Sequence, residues 1–162
     1  MGVDIYTSSG ILFTLEDAVE KFFKGITTAK IKKLIPEIES ELEDDENKEN
    51  LKAISNIADL KIWFVEFANS KISDDYLQDE DKLVDIFNII LENSKFADLP
   101  DVSFEYFTSN RYSGYDVPTE TICVIFSDIG IFETKLTKKG QKLAKLIGSK
   151  NVQQTTWTVY SY

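Results

Sequence analysis

Two periodicities divide this chain. Up to about residue 95 the apolar positions recur at three- and four-residue spacing, and beyond Pro100 they recur at every second residue. The first spacing lines one face of a helix, the second one face of a strand. Gly2-Val3-Asp4-Ile5-Tyr6-Thr7 reads as a short strand, Ser8-Ser9-Gly10 as a turn, and Ile11-Leu12-Phe13 as a second strand. Thr14 with Asp17 resembles a capping box ahead of Leu15, Val19, Phe22 and Phe23, and Gly25 stops that helix. A second helix starts near Thr27 and Thr28, presents Ile31, Leu34 and Ile35, and is broken or kinked at Pro36. Residues 50–70 read as the most apolar helix: Ile54, Ile57, Ala58, Leu60, Ile62, Trp63, Phe64, Val65, Phe67 and Ala68 leave little polar surface on its C-terminal half, so it is expected to be central in the core. Residues 79–94 carry Leu83, Ile86, Phe87, Ile90 and Leu91 as a regular stripe, with Asp79, Glu80 and Asp81 in the first turn.

After Pro100, Val102, Phe104 and Tyr106 alternate with Ser103, Glu105 and Phe107. Residues 120–127 are apolar enough on both faces to be a central strand, and residues 131–136 follow the turn Asp128-Ile129-Gly130 as another. Thr137 then caps a helix that runs through Ile147 to Gly148, and residues 152–162 form a last strand. The expectation is a single α+β domain over residues 1–162. It has about four helices, in a helix-rich part 14–95, packed on a mainly antiparallel β-meander in 100–162.

Composition narrows the chemistry. At 162 residues with 43% hydrophobic content, the chain can bury a sizeable core. No apolar run approaches the roughly 20 residues that span a bilayer, and the first residues lack a signal pattern, so no membrane partner is expected. A lone cysteine, Cys123, precludes an internal disulfide and fits a reducing, cytoplasmic setting; on a central strand it reads as a small core residue. The absence of histidine removes Ser-His-Asp, Cys-His and His-metal chemistry. Neither cofactor nor metal is expected, the chain reads as non-enzymatic, and its oligomeric state stays open.

Charge is unevenly spread. Residues 1–133 hold 28 Asp/Glu against 12 Lys/Arg, whereas residues 134–162 hold six lysines and no acid. Residues 37–49 alone carry eight acids and one lysine, Lys48. Such a surface can engage a basic protein partner, in the manner of a nucleic-acid mimic, and the plainer reading is a solvated helix end and loop. The expected partner-binding residues there are Glu39, Glu41, Glu43, Asp44, Asp45 and Glu46. Asp74, Asp75, Asp79, Glu80, Asp81 and Asp85 join them only if both clusters share a face; this second cluster lacks the central glycine and final glutamate of a calcium loop. The only arginine lies in Asn110-Arg111-Tyr112-Ser113-Gly114-Tyr115, where Arg111, Tyr112 and Tyr115 are residue types that anchor interfaces.

Three resemblances bear on function. Leu136-Thr137-Lys138-Lys139-Gly140-Gln141-Lys142-Leu143-Ala144-Lys145-Leu146-Ile147 resembles the segment after the wing in winged-helix regulators. That likeness implies nucleic-acid binding through Lys138, Lys142 and Lys145, which share a helix face, although no basic recognition helix precedes them. Asp116 with Glu133-Thr134-Lys135 resembles the metal-binding carboxylates and lysine of restriction-endonuclease-like enzymes, implying a metal-dependent nuclease. Met1-Gly2-Val3-Asp4-Ile5-Tyr6 resembles the starts of small phage-encoded proteins and implies no activity by itself. The leading expectation is a non-enzymatic acidic protein that binds a basic protein partner, with an inhibitor of phage type as its most concrete form. Nucleic-acid binding is the alternative and the nuclease comes third.

Overall fold

A computed structural model describes residues 4–97, 102–107, 112–113, 120–126, 131–132, 135–136, 138–147 and 155–161. In chain order its elements are β1 (Asp4–Thr14), α1 (Leu15–Phe22), α2 (Thr28–Glu41), α3 (Asp45–Lys52) and α4 (Ile57–Ser70). Then come β2 (Ile72–Ser73), β3 (Tyr76–Leu77), α5 (Glu80–Asn93), β4 (Ser103–Phe107), β5 (Tyr112–Ser113) and β6 (Thr121–Phe126). The last are β7 (Ile131–Phe132), β8 (Lys135–Leu136), α6 (Lys138–Ile147) and β9 (Thr155–Ser161). The chain is α+β, with six helices among the described residues rather than about four. No helix among them is long and apolar enough to cross a membrane. Two compact units emerge, Met1–Leu15 with Pro100–Tyr162, and Glu16–Leu99.

The first unit is built on a five-stranded sheet in the order β4-β6-β1-β9-β5. Every pairing in it is antiparallel, but first and last strands are neighbours, so the sheet is not a meander. The expected turn at Ser8-Ser9-Gly10 is absent. Ser8 pairs Trp157, Ser9 pairs Thr156 and Gly10 pairs Thr155, so ladder bonds to β9 override the local turn preference. The register then changes partner, and Ile11 to Thr14 pair β6 from Phe126 to Cys123. β6 lies between β4 and β1 as its two apolar faces require, and Ile122 through Phe126, Cys123 included, are buried. Phe13 meets Phe126 edge-on, with ring centroids 5.8 Å apart. Residues 131–136 form not one strand but a pair, Ile131 opposite Leu136 and Phe132 opposite Lys135.

The second unit has its own aromatic centre. Phe23, Phe64 and Phe87 are fully buried, with centroids 5.5 to 6.1 Å apart, and Phe22 stands edge-on to Phe96. Gly25, at φ +88°, turns the chain after α1, and there Lys95 N donates to Lys24 O at 3.1 Å. Thr27 caps α2 by accepting from Lys30 N. Pro36 does not end this helix, which runs on to Glu41. Its missing N–H costs about 3 kcal/mol, but Ile31, Leu34 and Ile38 straddle it on one buried face, each worth about 1.5–3 kcal/mol. The expected helix 50–70 is two elements. Asn56 caps α4 by accepting from Asp59 N at 2.9 Å, while Asp44 caps a separate α3 by accepting from Glu46 N. Asp74 and Asp75 both take positive φ between β2 and β3, as a two-residue type I′ turn requires. α5 buries the whole expected stripe and ends at Ser94, whose hydroxyl donates to Leu91 O and accepts from Phe96 N.

Candidate functional site

The acidic residues can now be sorted by what they touch. Glu39 and Glu41 lie on the last turns of α2, and each meets a lysine: Lys52 lies 3.1 Å from Glu39, and Lys82 of α5 lies 3.5 Å from Glu41. Lys52 also stands 3.6 Å from Glu49. Its hydrogen bond to Glu39, then the charges of Glu39 and Glu49, hold its pKa above the ordinary 10.5. Asp44 is occupied at the α3 N-terminus, accepting from Glu46 N at 3.1 Å and from Asn47 Nδ2 at 2.7 Å. Glu43, Asp45 and Glu46 remain, exposed and in no ion pair among the described residues. Half of the expected acidic site is therefore structural.

Both acidic clusters do reach one place. A cleft of about 210 Å³ is bounded by Glu41, Glu43 and Asp44 on one side and by Asp79, Lys71 and Lys82 on the other. Asp79 was expected inside the first turn of α5. It stands instead at the N-cap with φ +53° and no capping bond, and its carboxylate meets Lys71 at 3.3 Å. Lys71 Nζ also sits 5.0 Å from the centre of the Phe67 ring. Within the cleft, Lys71 and Lys82 pair two of the four carboxylates, Asp79 and Glu41. Among the described residues no group of three or more Cys, Asp and Glu side chains is placed to hold a metal ion.

Next to this cleft, and sharing Asn47 and Phe67 with it, lies a larger groove that sequence reasoning missed. It runs between α3 and α4 with a volume of about 520 Å³. Its floor is apolar: Ile54, Ile62, Trp63 and Phe67. The Trp63 and Phe67 rings stack with centroids 5.2 Å apart and planes within 6°. Ile62 is 57% exposed, contrary to the expectation that this helix is central in the core, and Trp63 is buried yet its indole N–H finds no acceptor among the described residues. A buried donor left so is destabilising by about 1–3 kcal/mol. The rim carries Asp59 and Glu66, and among the described residues no cation lines the groove. The signal was legible in principle. Asp59, Ile62, Trp63, Glu66, Phe67 and Ser70 recur at i, i+3, i+4, i+7, i+8 and i+11, a second stripe beside the core stripe Leu60, Phe64 and Ala68.

The other expected sites lie in the first unit. Lys138, Lys142 and Lys145 are exposed on α6 while Gly140 and Leu143 are buried, the division that the helical spacing requires. The paired strands β7 and β8 precede α6 directly. Arg111, Tyr115, Asp116 and Glu133 lie outside the described residues, and for Tyr112 and Lys135 the backbone alone is described, in β5 and β8. The expected Arg-Tyr and nuclease constellations therefore lie mostly outside the described residues.

Charge follows the units. Glu16–Leu99 holds 21 acids and 11 lysines, a net of −10, whereas the sheet unit's 7 acids and 7 basic residues cancel. The whole net charge of the protein belongs to the helical unit. Neither a protein-family model, nor a curated protein, nor a solved structure matches this chain.

Proposed function

We propose that the helical unit is a non-enzymatic interaction module whose acidic face binds a basic protein surface. The observation that carries this reading is the confinement of the −10 charge to one unit, with Glu43, Asp45 and Glu46 in no ion pair among the described residues, beside a cleft reached by both acidic clusters. Such a surface attracts lysine and arginine sites over a Debye length of about 8–10 Å and competes there with phosphate backbones. An inhibitor that occupies the basic groove of a nucleic-acid-handling protein is the most concrete form, and a phage setting is consistent with it. The test is fluorescence anisotropy of a labelled lysine–serine peptide of 20 residues at low and physiological salt. Expected is binding that weakens with salt and is lost in the triple variant Glu43→Lys, Asp45→Lys, Glu46→Lys. Equal binding by that variant, or none at low salt, refutes the reading.

A second reading rests on the exposed lysine face of α6, which suits phosphate contact. It predicts salt-sensitive affinity for duplex DNA, single-stranded DNA or RNA that disappears when Lys138, Lys142 and Lys145 become glutamate. Absent or salt-insensitive binding removes it. Metal-dependent cleavage through Asp116, Glu133 and Lys135 gains no support from the described residues.

A further inference from the structure

We infer that the groove between α3 and α4 receives a cationic amphipathic helix of the basic partner, an inference that rests on the basic-partner reading above. Three observations converge on it. The floor is apolar, and Ile62, 57% exposed, is its accessible part beside the buried, stacked Trp63 and Phe67 rings. Buried apolar surface of this kind supplies affinity when an aliphatic side chain covers it. The rim is acidic: Asp59 and Glu66 flank Ile62 at i−3 and i+4, and among the described residues no cation lines the groove, whereas Lys71 and Lys82 pair two of the four acids that line the cleft next to it. Finally, the Trp63 indole N–H is buried without an acceptor among the described residues, a deficit that a docked carbonyl or carboxamide oxygen relieves after a small rotation of the ring.

The shape favours a helix. The lining of α4 from Asp59 to Ser70 covers about 16 Å at 1.5 Å per residue, about three turns, and a trough between two helices accepts side chains at i, i+3, i+4 and i+7. Leucines at those positions reach Ile54, Ile62 and Trp63, and lysines or arginines on either side reach Asp59 and Glu66. Nucleic acid is disfavoured here, because Asp59 and Glu66 repel phosphate and, among the described residues, no lysine lines the groove to offset them.

The chain has two tryptophans, so a Trp157→Phe protein leaves Trp63 as the sole indole reporter. The probe is an 18-residue helix-forming peptide of leucine and lysine with leucines at i, i+3, i+4 and i+7. A scrambled peptide of the same composition and a leucine–glutamate peptide serve as controls. Expected is a saturable change in Trp63 emission with the first peptide only, and affinity about tenfold weaker in each of Ile62→Asp and Glu66→Lys. Both side chains are exposed, so circular dichroism and the urea midpoint should show the fold intact. Equal binding of the scrambled peptide, or binding insensitive to Ile62→Asp yet lost in the Glu43, Asp45, Glu46 variant, overturns the groove and leaves the basic-partner reading standing. No binding of any cationic peptide overturns both. Self-association by sedimentation that Ile62→Asp abolishes makes the occupant a second copy of this chain and also overturns the inference.

Discussion

Gly25→Ala tests the junction that closes the helical unit. Gly25 sits at φ +88°, where an L-residue is strained by roughly 1–2 kcal/mol. An added Cβ would lie 3.1 Å from Lys95 N and 3.2 Å from Lys95 Cβ, both tighter than ordinary contact. Relief requires Lys95 to move, but its N–H donates to Lys24 O at 3.1 Å, a bond worth about 0.5–1.5 kcal/mol. Alanine restricts the unfolded chain and so returns about 0.4–1 kcal/mol. The net expectation is about 1–2 kcal/mol of destabilisation. The assay is urea unfolding followed by Trp63 emission in the Trp157→Phe background, which reads the helical unit alone. With a slope near 2 kcal/mol per molar, the midpoint should fall by about 0.5–1 M. Gly25→Asn separates the two causes, because asparagine tolerates positive φ but carries the same Cβ. Recovery of most of the loss assigns it to the backbone, and no recovery assigns it to Lys95. A shift below about 0.2 M in both variants refutes the reasoning.

Asn56→Ala removes the α4 cap and should cost about 1 kcal/mol in urea unfolding, with Asn56→Gly milder; a change below about 0.3 kcal/mol contradicts the capping role. Asp44→Asn should keep stability, since asparagine caps as well as aspartate, whereas Asp44→Ala should cost about 1 kcal/mol. Lys52 has a raised folded-state pKa, so any stability it adds is complete below the ordinary 10.5 and is lost as pH rises through the raised value. Comparing urea midpoints of Lys52→Met and the parent should therefore show any difference at neutral pH and its loss in strong alkali; a difference that grows with pH contradicts the sign. Cys123 is buried in β6, so Ellman's reagent should leave it unmodified in the native protein and react in urea; rapid native modification contradicts the burial.

Local periodicity was legible wherever packing alone decides structure. Leu83, Ile86, Phe87, Ile90 and Leu91 read as a stripe and are all buried on α5, and the apolar run Ile122 through Phe126 reads as a central strand and is one. Legibility failed where a local signal met a distant partner. Ser8-Ser9-Gly10 has turn composition, but β9 supplies a ladder for each of these residues. It failed the other way at Asn56, where one side-chain bond divides an apolar stretch that periodicity joins. The hairpin β2–β3 was missed because Asp74-Asp75 replaces the usual Asn-Gly at the two positive-φ positions.

The site shows the same limit in electrostatic terms. A run of acids is visible in sequence, but the charge left to a partner depends on lysines elsewhere in the chain. Lys82 reaches Glu41 from α5, and Lys71 holds Asp79 from the end of α4. Counting charge along the chain placed the boundary at residue 133, whereas the fold returns β1 to the sheet unit and leaves that unit neutral. What then distinguishes a binding face is not the density of acids but the coincidence of unbalanced acids with accessible apolar surface. Exposed ion pairs contribute at most about 1 kcal/mol each, too little to hold a partner by themselves. An aliphatic side chain buried against Ile62 and Trp63 contributes about 1.5–3 kcal/mol. On these magnitudes the acids around Glu43 set the rate and sign of encounter, and the groove beside them sets how long the partner stays. Charge reversal at Glu43, Asp45 and Glu46 should therefore slow association, and Ile62→Asp should hasten release. Stopped-flow traces in which Ile62→Asp changes only the association rate would contradict that division.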